Sequence, residues 1–249
     1  MRTLERRTAL LTGASSGIGP HIARRLHREG VRMVLSARRR DRLQALAREL
    51  VGSSVAVADL SLRADVEGLA EAAGPVDILV ANAGLAAPGH LASLTPPVID
   101  EVLDVNLRAP ILLSRLLLPG MLARGAGHIV LMASMAGQVG LAGQSVYNAT
   151  KFGLRGFGHA VRAELRGTGV GVSVISPYVV AASEPAAGAR PRAPGEIPPE
   201  RVAEAVLHAI THDRAELTVA PLPARAAVRL PMAFPSLGRF APRGDVTDH

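Results

Sequence analysis

Tyr147 and Lys151 stand four positions apart in the stretch SVYNATK, residues 145–151. On a helix that spacing brings two side chains to one face. A phenol with a reference pKa of about 10 is a poor base at neutral pH, but a neighbouring ammonium favours the phenolate and is expected to lower that value. A phenol so tuned can give a proton to a carbonyl oxygen or take one from an alcohol. Composition sharpens the reading. Lys151 is the only lysine among 28 Lys and Arg residues, and Tyr147 is one of 2 tyrosines. A compact ammonium can meet a hydroxyl where a rigid guanidinium fork would need another geometry. A surface polar pair is the plainer alternative, and the placement of the sole lysine weighs against it.

Other groups point to the same chemistry. Ser134 closes the apolar run HIVLMAS ahead of Tyr147. Its hydroxyl can hydrogen-bond a developing oxyanion, which counts most in a dry pocket; capping a strand is its plainer role. Near the amino end, LLTGASSGIGP sets Gly13, Gly17 and Gly19 between an apolar run and an amphipathic one. Glycine permits a tight turn and close approach of backbone to a phosphate, and the start of a helix favours an anion. The spacing is T-G-x-x-x-G-x-G rather than G-x-G-x-x-G. The chain has no cysteine to pair with its histidines, and no metal site is expected; His159 and His208 read as helix-surface residues.

These groups need a frame, and the hydrophobic pattern supplies one. TALLT (8–12), VRMVLS (31–36), SVAVAD (54–59), VDILVAN (76–82), HIVLMAS (128–134) and VGVSVIS (170–176) read as buried strands. Helices are expected at about 18–29, 41–50, 62–73 and 146–167, and Pro96 or Pro97 can open a long helix that carries Asn106. Strand, helix, strand at this spacing predicts an α/β fold, with a single doubly wound parallel sheet, helices on both faces and ligands at the carboxyl ends of the strands. With 48% hydrophobic residues and 2% aromatics, the core must be aliphatic. After Pro177 the regularity fails: residues 183–199, SEPAAGARPRAPGEIPP, read as a mobile loop before a helix at about 200–212 and a strand near 217–221. One catalytic domain over 1–222 is expected, with a substrate loop at about 178–199 and a Pro- and Arg-rich tail at 223–249.

TGASSGIG, ANAG at 81–84, Asn106, Ser134 and YNATK at 147–151, in this order, resemble the short-chain dehydrogenase/reductase family in its form of about 250 residues. The resemblance spans roughly residues 8 to 180. It implies an oxidoreductase that interconverts a carbonyl and a secondary alcohol, with Asn106, Ser134, Tyr147 and Lys151 catalytic. It carries nicotinamide-cofactor binding to Gly13, Ser15, Ser16, Gly17, Ile18 and Gly19, to Asp59 and Leu60 as adenine contacts, and to Asn82, Tyr147, Lys151, Pro177 and Val180. It also implies that Asn106 bends its helix and holds the lysine through water, and that the long helices build a homodimer or homotetramer.

In VLSARRRDRL, Ala37 stands where relatives preferring NAD carry Asp, and Arg38 follows. With no carboxylate there to repel a 2′-phosphate and a planar cation ready to pair with it, NADP(H) is expected over NAD(H), with Arg38 as the discriminating residue. Two positions depart from the family. Tyr178 replaces a Gly and Ala182 a Thr, with Ser183 adjacent. The ring of Tyr178 is expected to narrow the pocket or stack near the nicotinamide, and these departures keep open a nicotinamide-binding sensor or scaffold without turnover.

The formal charge of +7 invites a nucleic-acid reading. The arginines are scattered over many elements and stacking rings are few, so no nucleic-acid partner is expected. Absence of cysteine suits a reducing cytoplasm. The first residues hold too short an apolar stretch for a signal peptide, and no segment is expected to approach the roughly 18 apolar residues of a membrane span.

Overall fold

The computed structural model describes residues 3–181 and 195–225. Within them, β1 (Thr8–Thr12), β2 (Arg32–Ala37), β3 (Ser54–Val57), β4 (Ile78–Ala81), β5 (Gly127–Met132), β6 (Val170–Pro177) and β7 (Glu216–Val219) form one parallel sheet. Its order is β3-β2-β1-β4-β5-β6-β7. Helices α1 (Gly19–His27), α2 (Arg40–Glu49), α3 (Arg63–Ala73), α4 (Pro96–Leu103), α5 (Ala109–Ala123), α6 (Ser145–Glu164) and α7 (Pro199–Thr211) join them. The expected strands and helices are all present, displaced by a few residues at their ends. Parallel pairing forces each connection across a face, so both faces of the sheet are covered and the strands read as continuous apolar runs. β1 shows the consequence: Ala9 and Leu11 join a core with Ile22, Leu26 and Val206, while Leu10 joins the opposite core with Leu69, Leu113 and Leu154. The order reverses between β1 and β4, and the connections that leave the carboxyl ends of those strands diverge to opposite faces, leaving a crevice.

The long helix departs from the expectation of a continuous α-helix. Between α4 and α5, residues Asp104–Arg108 form one π turn. Pro110 has no amide hydrogen to give the carbonyl of Asn106, and a widened turn at that point frees the Asn106 side chain from the helix surface. The helical run Pro96–Ala123 has 28 residues and, by length and composition only, could cross a membrane, a test that the core helix of a sheet protein also passes. Leu113, Leu117 and Met121 of this run are buried in the core between the sheet and α3.

The segment read as a mobile loop is anchored at its far end. Ile197 donates to Val179 O at 2.9 Å and accepts from Ala181 N at 3.0 Å, and its side chain is buried. The remainder of that loop, with Ala182 and Ser183, and the tail beyond 225 lie outside the described residues.

Candidate functional site

The turn after β1 is shaped by close approach of backbone. Gly13 has φ +66°, and a Cβ there would stand 2.8 Å from Ala83 Cα at the end of β4. A Cβ on Gly19 would collide with Gly13 O. The two strand ends are tied by Thr12, whose hydroxyl accepts from Asn82 N at 3.0 Å and Ala83 N at 3.1 Å, while Asn82 Nδ2 donates to Thr12 O at 3.0 Å. This closes the sheet behind a cleft of about 550 Å³ lined by Gly13, Ser15, Ser16, Gly17, Ile18, Ala37, Arg38, Arg39, Asp59, Leu60, Asn82 and Gly84, among others. Of the cofactor positions expected from sequence, Gly19, Tyr147, Lys151, Pro177 and Val180 lie outside the cleft lining, the last two at the end of β6.

At the Gly84 end, the cleft meets the proton-transfer groups. α6 presents Tyr147 and Lys151 on one face, with Lys151 Nζ 5.5 Å from the centre of the phenol ring. Lys151 Nζ donates to Met132 O at 2.9 Å and lies 3.5 Å from the point where a Cβ on Gly84 would stand. Ser134 follows β5, caps the short 3₁₀ turn Met135–Gly137, and accepts from Ala136 N at 3.1 Å; its hydroxyl is near enough to the Tyr147 phenol to favour the ionised form. Strand-end capping and contact with the phenol are therefore both properties of Ser134. Asn106 Oδ1 accepts from Leu85 N at 2.7 Å, and its Nδ2 donates to Leu85 O at 2.8 Å and Thr150 Oγ1 at 3.3 Å. Thr150 Oγ1 in turn donates to Tyr147 O at 2.7 Å. Asn106 is thus coupled to α6 next to the pair.

The electrostatics differ from the expectation in one respect. Burial pushes the Tyr147 phenol above its ordinary value, and the nearby Ser134 hydroxyl offsets only part of that. The ammonium, hydrogen-bonded to Met132 O at 2.9 Å, does not offset the burial of the phenol in this arrangement. Burial also pulls Lys151 down to about 8. Burial thus separates the two groups and makes the Lys151 ammonium the stronger acid of the pair, able to reprotonate a phenolate.

The cleft fits a nicotinamide dinucleotide. Its volume is that of a cofactor site, the glycine turn opens α1 where an anion is favoured, and two guanidinium groups flank the carboxyl end of β2. The structure distinguishes those two. Arg39 donates to Ser15 Oγ from Nη2 at 3.1 Å, beside the glycine turn. Arg38 lies 3.9 Å from Asp59 Oδ2 and 3.7 Å from Glu101 Oε1, so two carboxylates share its charge. Asp59 is held below the usual carboxyl range by the Ser61 backbone amide first and by Arg38 last. Arg39 was not singled out in the sequence, because its contact with Ser15 joins residues 24 apart, which no local spacing reveals. Asn148 was missed too: its Nδ2 donates to Ala136 O at 2.5 Å and Val139 O at 2.7 Å, pinning the Ser134 turn to α6. Its signal was rarity, since the asparagines are Asn82, Asn106 and Asn148, and each secures a loop at this end of the sheet.

Tyr178 does not line the cleft. Its ring packs against the core cluster that contains Ile197 and Val202, near Gly195, and its amide donates to Val219 O at 2.9 Å. His208 and His212 stand one turn apart near the end of α7 with ring centres 4.1 Å apart.

Comparison with known proteins agrees with this geometry. The family model described as short chain dehydrogenase matches residues 7–192. The ketoacyl reductase HetN of Nostoc sp. is 38% identical over 230 residues, spanning 88% of this chain and 80% of the relative. A crystal structure of a putative betaketoacyl-ACP reductase matches with TM-score 0.80 at 31% identity, over 87% of this chain and 97% of that one. A metagenomic short-chain oxidoreductase in complex with NADP matches with TM-score 0.75 at 35% identity over the same shares, 87% and 97%.

Proposed function

The chain belongs to the short-chain dehydrogenase/reductase family of oxidoreductases, and from that premise we propose that it interconverts a carbonyl and a secondary alcohol on a small, largely apolar substrate, using NADP(H) in preference to NAD(H). The observation that carries this reading is Lys151, on one face of α6 with Tyr147, beside Gly84 at the end of a dinucleotide-sized cleft. The bound nicotinamide would supply or accept the hydride. Tyr147, protonated at neutral pH because burial raises its pKa, gives its proton to the carbonyl oxygen; Ser134 hydrogen-bonds the same oxygen as charge develops on it. Lys151, buried and close to titration, returns a proton to the phenol side of the site. Asn106 keeps Leu85 and Thr150 in register with the pair.

NADP(H) preference is supported by Arg38 and Arg39 at the cleft and by the NADP complex of a relative. The relatives named for ketoacyl reduction make 3-ketoacyl esters the first carbonyls to test. We assign one catalytic domain to residues 1–222, with substrate selection in 178–199 and a separate tail at 223–249. A homodimer or homotetramer is supported by Leu116 and Phe152, apolar and exposed on α5 and α6; light scattering tests it. A cytoplasmic setting belongs to the same proposal and rests on the absence of cysteine. The deciding experiment follows absorbance at 340 nm with NADPH or NADH across ketones, aldehydes and ketoacyl esters. Oxidation of NADPH with at least one of them is expected, and none with any carbonyl defeats the reading.

A further inference from the structure

Glu216 opens the edge strand β7, and four donors converge on its carboxylate. Arg155 donates from Nε at 2.7 Å to Oε1 and from Nη2 at 3.0 Å to Oε2, His159 Nε2 lies 2.9 Å from Oε2, and Gln138 Nε2 donates to Oε1 at 3.0 Å. Burial alone would raise this carboxyl, but the Arg155 and His159 contacts outweigh it and hold the group below the usual range. On α6, Arg155 and His159 continue the four-residue interval of Tyr147 and Lys151, so one stripe of the helix runs from the proton-transfer pair to the edge strand.

An ion pair between α6 and β7 would be complete without Gln138. Yet Gln138, nearly buried, spends its amide on Glu216 and on Thr218 Oγ1 at 3.1 Å. It is the residue that ends the Met135–Gly137 turn, the turn Ser134 caps. Because Ser134 Oγ is itself bonded to Ala136 N within that turn, any slide of the turn carries the hydroxyl with it. Asn148 grips the turn from the α6 side, and Gln138 is its grip on the sheet edge.

We propose that Gln138 and Glu216 are positioning residues of the reaction, fixing the turn to β7 so that the Ser134 hydroxyl meets Tyr147. The proposal rests on the reading of Tyr147 as the proton donor, and its test needs no turnover. The chain has 2 tyrosines and no tryptophan, so Tyr178→Phe leaves Tyr147 as the only phenol, and its ionisation can be followed by ultraviolet difference absorbance, with circular dichroism confirming the fold at each pH. Removing Ser134→Ala from contact raises the midpoint. Gln138→Ala is expected to raise it by about half a unit, the size of one weakened hydrogen bond, and to add nothing when Ser134→Ala is already present. Glu216→Gln keeps an acceptor for Gln138 while losing the charge pair with Arg155, so it melts earlier with the midpoint unchanged. An unmoved midpoint in Gln138→Ala, or an equal rise with and without Ser134, overturns the proposal. If no carbonyl is reduced by the parent protein, the oxidoreductase reading fails while the titration still decides this one.

Discussion

Asn106 and Leu85 exchange two hydrogen bonds, side-chain amide against backbone amide, across 2.7 and 2.8 Å. The π turn presents the asparagine, and the loop after β4 takes it as if it were a strand neighbour. Replacing it leaves both backbone polar groups of the half-buried Leu85 without these partners. Asn106→Ala should therefore lose roughly 2–4 kcal/mol of stability in chemical denaturation, from one or two unsatisfied groups. Activity should fall further than stability explains, because Thr150 and α6 lose their tether.

Lys151→Met should be more stable than the parent at neutral pH and inactive. Burial lowers the lysine from 10.5 to about 8, so between those values the unfolded chain binds more protons than the folded one. Stability then rises with pH through that window, and the cost of burying the cation is present in full below it. The variant, having no cation to bury, should gain on the order of 1–3 kcal/mol at pH 7. The gain should shrink as pH climbs toward 10.5, which urea titrations at several pH values would show.

Tyr147→Phe keeps the ring and removes the proton. A loss of about 10²–10⁴ in kcat is expected, the usual worth of a positioned acid, with NADPH affinity little changed by equilibrium fluorescence. A variant retaining full turnover would end the assignment of this phenol.

Arg38→Ala and Arg39→Ala separate the two guanidinium groups. Loss of a charge-assisted contact to a 2′-phosphate should weaken NADPH roughly tenfold or more while leaving NADH nearly untouched. Arg39, already beside Ser15 and the glycine turn, should show the larger effect; Arg38 shares its charge with Asp59 and Glu101.

Gly19→Ala inserts a methyl group against Gly13 O and within 2.8 Å of Ala14 Cα. Neither atom belongs to a side chain that can swing aside, so the turn must open. A cost of about 1–3 kcal/mol is expected from such overpacking, together with loss of binding for both nicotinamide cofactors, readable by thermal shift.

The frame was legible because covering both faces of a parallel sheet leaves a strong apolar signal, and glycine at a strand end has few other uses. TALLT and HIVLMAS could be placed within a residue or two. What escaped depends on partners distant in the chain. The π turn needs Leu85, 21 residues from Asn106, and the Gln138 contact lies 78 residues from Glu216. The direction of the Tyr147 shift escaped for a different reason: spacing shows that an ammonium is near, but not that burial exceeds its pull. For Tyr178, a residue type at a familiar position does not say which way a ring turns, and here it packs against the cluster that holds Ile197.

The pairing of Val180 with Ile197 fastens the two ends of the stretch between them to one another and, through Ile197, to the core, and closing a longer loop between fixed ends adds little cost. Grafting that stretch from a relative of different taste should transplant selectivity onto an unchanged engine, which gives such a protein a short route to new substrates.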